Sequence, residues 1–170
     1  MRSKFILLVI CVAALSFVAK GQTTNYQAYS VFVYGMTKYM SWPSNNKAEF
    51  VIVVFGKSKV YDEMMKGLSG KTVNGLPIKI VQAEDISTVG EPHILYVSEG
   101  KSGQLDDVKK MTSGKPVLII GEREGLHKKG AGMSFIAIDN KLRIDINNVE
   151  LSGRNIKTST QMQALAHEII

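Results

Sequence analysis

The sequence predicts a three-layer α/β domain with a mostly parallel sheet, and three observations support that prediction. Residues 50–55 are all apolar and mostly β-branched or aromatic, which is typical of a strand covered by helices on both faces. Helical and strand-like stretches then alternate as far as Ile120, the order expected for right-handed crossovers between parallel strands. Strands at 133–138 and 141–146 are separated by only two residues, so the sheet should end in an antiparallel hairpin at one edge.

The first predicted helix covers Tyr26 to Met40, where apolar residues recur at spacings of three and four. This spacing places them on one face of a helix. Pro43 ends the helix because it disfavours the helical conformation at Trp42 and lacks a backbone N–H. Trp42 is the only tryptophan, and two interpretations are open: a core side chain at the helix end, or an exposed anchor for a partner, packed on Pro43.

The later elements are predicted from the same local patterns. The first two are a helix from Lys59 to about Leu68, capped by Ser58, and a strand at 78–81 after the Asn74-Gly75 turn. Strands at 93–97 and 115–120 follow, with a helix at 104–112 between them. The hairpin comes next, and then a last helix capped by Thr158 or Ser159. In the last helix, Met162, Leu165, Ala166 and Ile169 should face inward. The elements together describe one Rossmann-like domain.

The N-terminal residues have the features of a secretory signal peptide. A basic start, residues 1–4, precedes an apolar run from Phe5 to Val18, and the small residues Ala19 and Gly21 follow. We expect cleavage after Gly21, because the apolar run is shorter than the ~20 residues of a spanning helix. An uncleaved membrane anchor is the alternative. The domain would then be residues 22–170 of an exported, periplasmic protein.

Composition argues against several functional classes. Cys11 is the only cysteine and lies in the predicted signal peptide, so disulfides and cysteine-based catalytic or metal sites are excluded for the mature chain. The formal charge of +6 falls to +3 once Arg2, Lys4 and Lys20 are removed, and the remaining lysines are scattered. A nucleic-acid-binding face needs clustered cations and stacking aromatics, so we expect no nucleic-acid partner.

Motifs for catalysis or metal binding are mostly absent from the sequence. Gly56-Lys57-Ser58 resembles the end of a phosphate-binding loop, but Val51 stands where that motif needs its first glycine. His167-Glu168 begins like a zinc-binding helix, yet no second histidine follows at the required spacing. His93 is expected to be structural and His127 exposed. We therefore expect neither an enzyme nor a protein that needs a cofactor or a metal.

The loop after the strand at 115–120 is a candidate ligand site. Gly121, Glu122 and Arg123 follow the carboxyl end of a buried strand, where open α/β sheets bind their ligands. Two interpretations are open: a glycine-rich connection with solvated charges, and a groove for a small molecule or a partner segment. Arg154, in the loop before the last helix, is a further candidate for binding the partner or ligand.

Four stretches of the chain, taken in order, match the motifs of a known family. They are Tyr39-Met40-Ser41-Trp42-Pro43, the Gly-Lys-x-Val-x-Gly-x-Pro turn at Gly70–Pro77, the strand His93–Ser98, and the run from Pro116 through Gly125 and Gly132 to Ile146-Asn147 with Thr158–Met162 after it. Their order and spacing resemble the YfiR-like family of exported bacterial proteins over about residues 26–166.

The resemblance implies a non-catalytic periplasmic regulator that binds the periplasmic part of an inner-membrane signalling protein. The expected partner is a diguanylate cyclase, whose cyclic-di-GMP output the regulator restrains, or a sensor histidine kinase. A homodimer is also implied, whereas disulfide-based redox control is not, because the mature chain has no cysteine. Trp42 and Pro43 would form an apolar anchor, with Glu122 and Arg123 at the strand-end groove. A small-molecule sensor that uses this groove is the alternative.

Overall fold

The chain folds around a sheet of eight strands in a computed structural model that describes residues 25–44, 46–139 and 141–170. In chain order the elements are α1 (Tyr26–Thr37), β1 (Met40–Ser41), β2 (Phe50–Phe55), α2 (Lys59–Leu68), β3 (Thr72–Val73), β4 (Leu76–Ala83), β5 (Ile94–Val97), α3 (Leu105–Met111), β6 (Leu118–Gly121), β7 (Met133–Ile138), β8 (Lys141–Ile146), α4 (Asn148–Gly153), β9 (Lys157–Thr158), α5 (Thr160–Ala164) and β10 (Ala166–Ile169). Short 3₁₀ helices cover Ile86–Thr88, Glu99–Gln104 and Leu126–Lys129.

The strands of the large sheet lie in the order β10-β8-β7-β6-β5-β2-β4-β3. The neighbours from β7 through β4 pair in parallel, and β7 pairs with β8 in antiparallel fashion. This arrangement confirms the predicted mostly parallel sheet with an antiparallel hairpin. The strand β2 lies inside the sheet, between β4 and β5, and five of its six residues are buried, as its continuous apolar sequence requires.

Helices cover both faces of the sheet, which confirms the three predicted layers. Ile52 of β2 belongs to a buried cluster that includes Val33 of α1 and Met64 of α2. The next residue, Val53, points to the opposite face and joins a second cluster with Val108 of α3. This alternation of partners along one strand follows from the two-residue period of β-structure.

The first helix ends earlier than its apolar spacing predicts. Helix α1 stops at Thr37, and residues 40–41 instead form β1, which pairs with β9. The amide of Ser159 donates to the carbonyl of Tyr39 at 2.9 Å, so tertiary pairing takes over the backbone before Pro43 is reached. Helix α2, in contrast, has the predicted bounds, and its cap Ser58 accepts from the amide of Val60.

The last predicted helix is wrong beyond residue 164. Helix α5 is capped by Ser159, as predicted, but residues 166–169 form β10, which pairs in parallel with β8. Met162 is buried as expected, whereas Leu165 and Ile169 are 45% and 43% exposed. The outer edge of β8 offers unpaired backbone groups, and β10 satisfies them. The hairpin is therefore not the edge of the sheet.

Among the described residues, the structure contains no helix that is both long enough and apolar enough to span a membrane. The predicted signal peptide, residues 1–21, lies outside the described residues.

Candidate functional site

The candidate site residues lie at opposite ends of the parallel strands. Trp42 packs against Phe50, the first residue of β2, while Glu122 directly follows Gly121, the last residue of β6. Because β2 has six residues, its two ends are roughly 17 Å apart at about 3.3 Å per residue. The structure therefore forms two separate surfaces, which we name the Trp42 groove and the strand-end groove.

The Trp42 groove lies at the amino ends of β2 and β5 and has a volume of about 370 Å³. Its lining residues are Trp42, Pro43, Ser44, Phe50, Val73, Asn74, Leu76 and His93. Trp42 is partly buried, whereas Pro43 and Ser44 are exposed. Trp42 thus packs on the core and also lines an open groove, and its role as an anchor for a partner stays a prediction.

Two neighbours hold the Trp42 ring in place. The indole Nε1–H donates to the backbone carbonyl of His93 at 3.1 Å. The ring meets Phe50 edge-on, with centroids 5.1 Å apart and an interplanar angle of 85°. Phe50 in turn stacks on the His93 imidazole at 4.4 Å. A large apolar side chain held rigidly in a groove loses little conformational freedom when a partner binds.

His93 has the structural role that the sequence suggests. Its side chain is 3% exposed, and its Nδ1 accepts a hydrogen bond from the amide of Val51 at 3.1 Å. A backbone N–H can only donate, so Nδ1 must be unprotonated. Burial, and then the charge of Lys47, lower the pKa of His93 to about 4, so the imidazole is neutral at physiological pH.

Glu122 connects three segments at the carboxyl ends of the strands. Ser58 Oγ donates to Glu122 Oε1 at 3.1 Å, and the amide of Glu99 donates to Oε2 at 2.9 Å. Burial raises the pKa of Glu122, and these two hydrogen bonds offset part of that rise. The carboxylate thus fastens the loop after β6 to the start of α2 and to the 3₁₀ helix at Glu99–Gln104.

The charge of Glu122 acts on two nearby tyrosines, Tyr29 and Tyr96. Burial, followed by the negative charge of Glu122, raises the pKa values of Tyr29 and Tyr96. The Tyr96 hydroxyl is fully buried and has no hydrogen-bond partner within the described part of the chain. Tyr26 packs on Tyr29 with ring centroids 6.0 Å apart. Glu122 is itself half-buried, near this group of tyrosines.

The strand-end groove, about 460 Å³, opens beside this tyrosine cluster. It is lined by Tyr26, Lys57, Ser58, Lys59, Tyr61, Asp62 and Gln82. Ser58 belongs both to the groove wall and to the hydrogen bonds of Glu122. The wall is thus the start of α2 rather than the glycine-rich loop that the sequence suggested, and Glu122 lies behind the groove.

The other two loop candidates have different surroundings. Gly121 is buried, and a Cβ atom there would lie 2.5 Å from Cδ1 of Leu126, so the packing of the loop requires a glycine. Arg123 is exposed at the surface. Neither Gly121 nor Arg123 lines the strand-end groove. Of the three loop candidates, only Glu122 is linked to that groove, through its hydrogen bond with Ser58.

Arg154 is 7% exposed and lines a third groove, of about 460 Å³, together with Lys109 and Glu150. Its Nη1 donates to the backbone oxygen of Thr112 at 3.0 Å and to the hydroxyl of the same residue at 3.1 Å. Its Nε lies 3.6 Å from Oε2 of Glu150. Thr112 follows α3 and precedes β6, so Arg154 packs near the amino end of β6, away from Glu122.

A cluster of ionisable side chains lies next to β10, and no motif in the sequence indicates it. His127 was expected to be exposed, and that prediction is wrong, because its side chain is 1% exposed. His127, Asp145 and Glu168 each place a potential metal-binding atom within 4.8 Å of the others. Asp145 lies on β8, and the pairing of β10 along the edge of β8 places Glu168 opposite Asp145. No local pattern could have revealed this cluster.

The architecture defines the class of protein: a small three-layer α/β domain with a groove at each end of its parallel strands. The YfiR/HmsC-like family model matches residues 26–167, and the chain belongs to that family. A search of curated proteins found no match. The family predicted from the four motifs is thus confirmed. The family is periplasmic in general, and membership is consistent with a regulator that acts through protein–protein interaction.

Proposed function

We propose that this chain is a non-catalytic periplasmic regulator that binds the periplasmic part of an inner-membrane signalling protein, either a diguanylate cyclase or a sensor kinase. The observation that supports it most is the family match, which covers the chain from the first residue of α1 into β10. Within that domain, we assign the partner contact to the Trp42 groove. Export through the predicted signal peptide would bring the domain to the same compartment as the partner.

The geometry of the Trp42 groove supports a protein contact. Protein interfaces concentrate their binding energy in a few aromatic side chains surrounded by a less critical rim. Trp42 provides such an aromatic side chain, already fixed by Phe50 and His93. Exposed Pro43 and Ser44 form the adjoining rim. A partner can therefore bury apolar surface here without reorganising the domain.

The experiment that tests this proposal is cross-linking in cells followed by capture of the tagged protein and mass spectrometry. Wild-type protein should enrich one membrane cyclase or kinase. Pro43→Asp should abolish that enrichment, because it places a charge on the exposed rim without removing a core contact. Tyr39→Ala is the matched control, since Tyr39 is 41% exposed and lies outside the groove lining. Recovery of the protein alone, or equal capture by Pro43→Asp, would contradict the proposal.

Homodimer formation belongs to the same proposal. The exposed edge strand β10 is flanked by apolar side chains, with Ile169 and Ile170 43% and 42% exposed. The amide of Asn148 donates to the carbonyl of Ile170 at 2.7 Å, which brings Val149, 76% exposed, next to them. Analytical ultracentrifugation should show a dimer that Ile169→Lys dissociates, and a monomeric wild type would contradict this part.

A small-molecule sensor is the second candidate function, and the strand-end groove favours it. The groove is lined by two tyrosines, two lysines and one aspartate among other residues, a mixed set suited to a small polar aromatic molecule. Screening such molecules by thermal shift should find a stabilising ligand. Tyr61→Ala should remove the shift, and Tyr39→Ala should keep it. If no molecule stabilises the protein, this candidate is excluded for the compounds tested.

A further inference from the structure

The His127 cluster, defined as His127, Asp145 and Glu168, lies outside the two grooves and combines one imidazole with two carboxylates. Nε2 of His127 lies 3.1 Å from Oε2 of Glu168, and Nδ1 lies 3.6 Å from Oδ2 of Asp145. The His127 and Asp145 side chains are 1% and 3% exposed, whereas Glu168 is 36% exposed. The cluster is thus buried on one side and open to solvent on the other.

Three separate elements supply the cluster. His127 lies in the 3₁₀ helix after β6, Asp145 in β8 and Glu168 in β10. Asn147 holds the 3₁₀ helix in place, because its Nδ2 donates to the carbonyl of His127 at 2.9 Å. Asp145 and Glu168 are aligned by the pairing of their strands. The geometry therefore depends on the fold as a whole and not on a flexible surface loop.

We propose that His127, Asp145 and Glu168 bind a divalent transition-metal ion of the Zn²⁺ type. One imidazole nitrogen and two carboxylate oxygens are ligands that such ions accept. The two carboxylates supply two negative charges, which balance the charge of the ion. Solvent reaches the cluster beside Glu168 and can complete the coordination.

The observed spacing fits this assignment. Ligand atoms that lie ~2.0–2.2 Å from a tetrahedral Zn²⁺ are separated from one another by roughly 3.4 Å. The distance of 3.1 Å between His127 Nε2 and Glu168 Oε2 needs only a small increase to admit the ion. Asp145 Oδ2 lies 3.6 Å from Nδ1, the nitrogen that does not bind the ion, so the Asp145 carboxylate must turn toward Nε2. The cluster allows this movement, because each residue has a ligand atom within 4.8 Å of the other two.

Neighbouring polar groups orient the proposed ligands. Ser134 Oγ lies 2.8 Å from Nδ1 of His127, so Nδ1–H can donate to the hydroxyl and leave the Nε2 lone pair directed toward Glu168. His167 Nδ1 lies 3.0 Å from Oδ1 of Asp145, which leaves Oδ2 on the side of His127. Such outer hydrogen bonds fix the tautomer of a ligand and its direction.

Lys128 competes with the metal for Glu168. Its Nζ lies 2.8 Å from Oε2 of Glu168, the oxygen that also faces His127. The Lys128 side chain is 57% exposed, so it can move into solvent when an ion binds. Replacing Lys128 by glutamine removes the competing charge and should strengthen binding, a change that a purely structural ion-pair network would not show.

The consequence for the fold is a metal-dependent attachment of β10. This strand forms the edge of the sheet, and a shared ion would join it to the 3₁₀ helix after β6 as well as to β8. Binding to the folded state alone raises the stability of that state. The proposal predicts that Zn²⁺ raises the thermal midpoint of the protein and protects residues 166–169 from hydrogen exchange.

Metal binding is tested on tag-free protein by equilibrium dialysis with Zn²⁺, by thermal shift, and by the visible absorption of Co²⁺ as a spectroscopic probe. Wild type should bind one ion per chain, with Mg²⁺ much weaker. Glu168→Gln should weaken binding at least about 10-fold, and Lys128→Gln should strengthen it. Glu124→Gln removes an exposed carboxylate outside the cluster and should change nothing.

Two outcomes would overturn the proposal. One is a wild-type protein that binds less than half an ion per chain at saturating Zn²⁺. The other is binding that Glu168→Gln and Asp145→Asn leave unchanged, which would place the ion elsewhere. Glu168→Gln is the principal variant because Glu168 is partly exposed and its replacement should not prevent folding.

Discussion

Trp42 donates its indole N–H to the backbone carbonyl of His93 at 3.1 Å, across 51 positions of the chain. The bond fastens the segment after α1 to the amino end of β5. The same carbonyl accepts a second hydrogen bond, from the amide of Leu118 at 2.9 Å. The carbonyl therefore remains satisfied if the indole is removed, and this makes Trp42 a good position at which to separate stability from binding.

Trp42→Phe should destabilise the domain only modestly. The variant loses one hydrogen bond, worth about 0.5–1.5 kcal/mol, but it keeps an aromatic ring against Phe50. Trp42→Ala also loses that ring contact, and because the side chain is only partly buried we expect a loss of about 2–3 kcal/mol. Urea unfolding followed by circular dichroism measures both values. Equal costs for the two variants would contradict the importance of the ring contact.

His93 should make the free energy of unfolding depend on pH between 6.5 and 4. Its pKa is about 4 in the folded protein, against an ordinary value of 6.5. Over this range the unfolded chain takes up a proton that the folded protein refuses, so stability is full above pH 6.5 and falls as the pH falls. The difference, 6.5 − 4 = 2.5 units, corresponds to at most on the order of 3 kcal/mol.

The matched variant for this prediction is His93→Asn. An asparagine oxygen can accept the hydrogen bond from the Val51 amide in place of Nδ1, but it does not titrate. We therefore expect the stability difference between wild type and His93→Asn to shrink as the pH falls from 6.5 to 4. Chemical unfolding at several pH values gives this difference directly. A difference that stays constant over the range would exclude His93 as the titrating group.

Local patterns were enough to predict the elements that depend on neighbours in sequence. The apolar run 50–55, the cap and periodicity of α2, and the two-residue connection between β7 and β8 all have the expected positions. The terminal strand β10 could not be predicted, because its residues also carry helical spacing. What decides its conformation is the free edge of β8, and that edge exists only after folding.

The candidate site was predictable in its members but not in its geometry. Trp42 could be named as a candidate because it lies at the end of a predicted helix, and Glu122 because it follows the end of a predicted strand. That they lie at opposite ends of the sheet follows from strand pairing. The partners of Glu122 are 64 and 23 residues away, Ser58 and Glu99. His127 and Glu168 are 41 residues apart, and no sequence motif links a histidine to a glutamate at that separation.

Glu122→Gln should leave the stability at pH 7 within about 1 kcal/mol of wild type, or raise it slightly. Burial raises the pKa of Glu122 above its ordinary value of 4.5. Below pH 4.5 the protonated carboxyl contributes its full stabilisation to the folded state. This contribution to the free energy of unfolding disappears as the pH rises through the raised pKa. At pH 7 the buried charge opposes folding, and glutamine removes it while keeping groups that can bond Ser58 and the Glu99 amide.

The pH dependence distinguishes this effect from a simple loss of hydrogen bonds. Wild type should gain stability relative to Glu122→Gln as the pH falls toward 4.5. Glu122→Ala loses both hydrogen bonds and should be about 1–2 kcal/mol less stable than Glu122→Gln at pH 7. Guanidinium unfolding at pH 7 and pH 4.5 checks both statements. A Glu122→Gln variant that is strongly destabilised at pH 7 would show that the carboxylate itself is required.

Arg154→Ala should lower the free energy of unfolding by about 2 kcal/mol, because Arg154 is buried and donates two hydrogen bonds to Thr112. Arg123→Ala is the matched control, since Arg123 is exposed and its removal should change stability by less than about 0.5 kcal/mol. Chemical unfolding of the two variants gives the comparison, and capture of the membrane partner gives the second measurement.

If Arg154→Ala keeps full stability but loses the partner, Arg154 contacts the partner directly. If it loses stability and, while folded, still captures the partner, Arg154 acts by holding α4 against the end of α3.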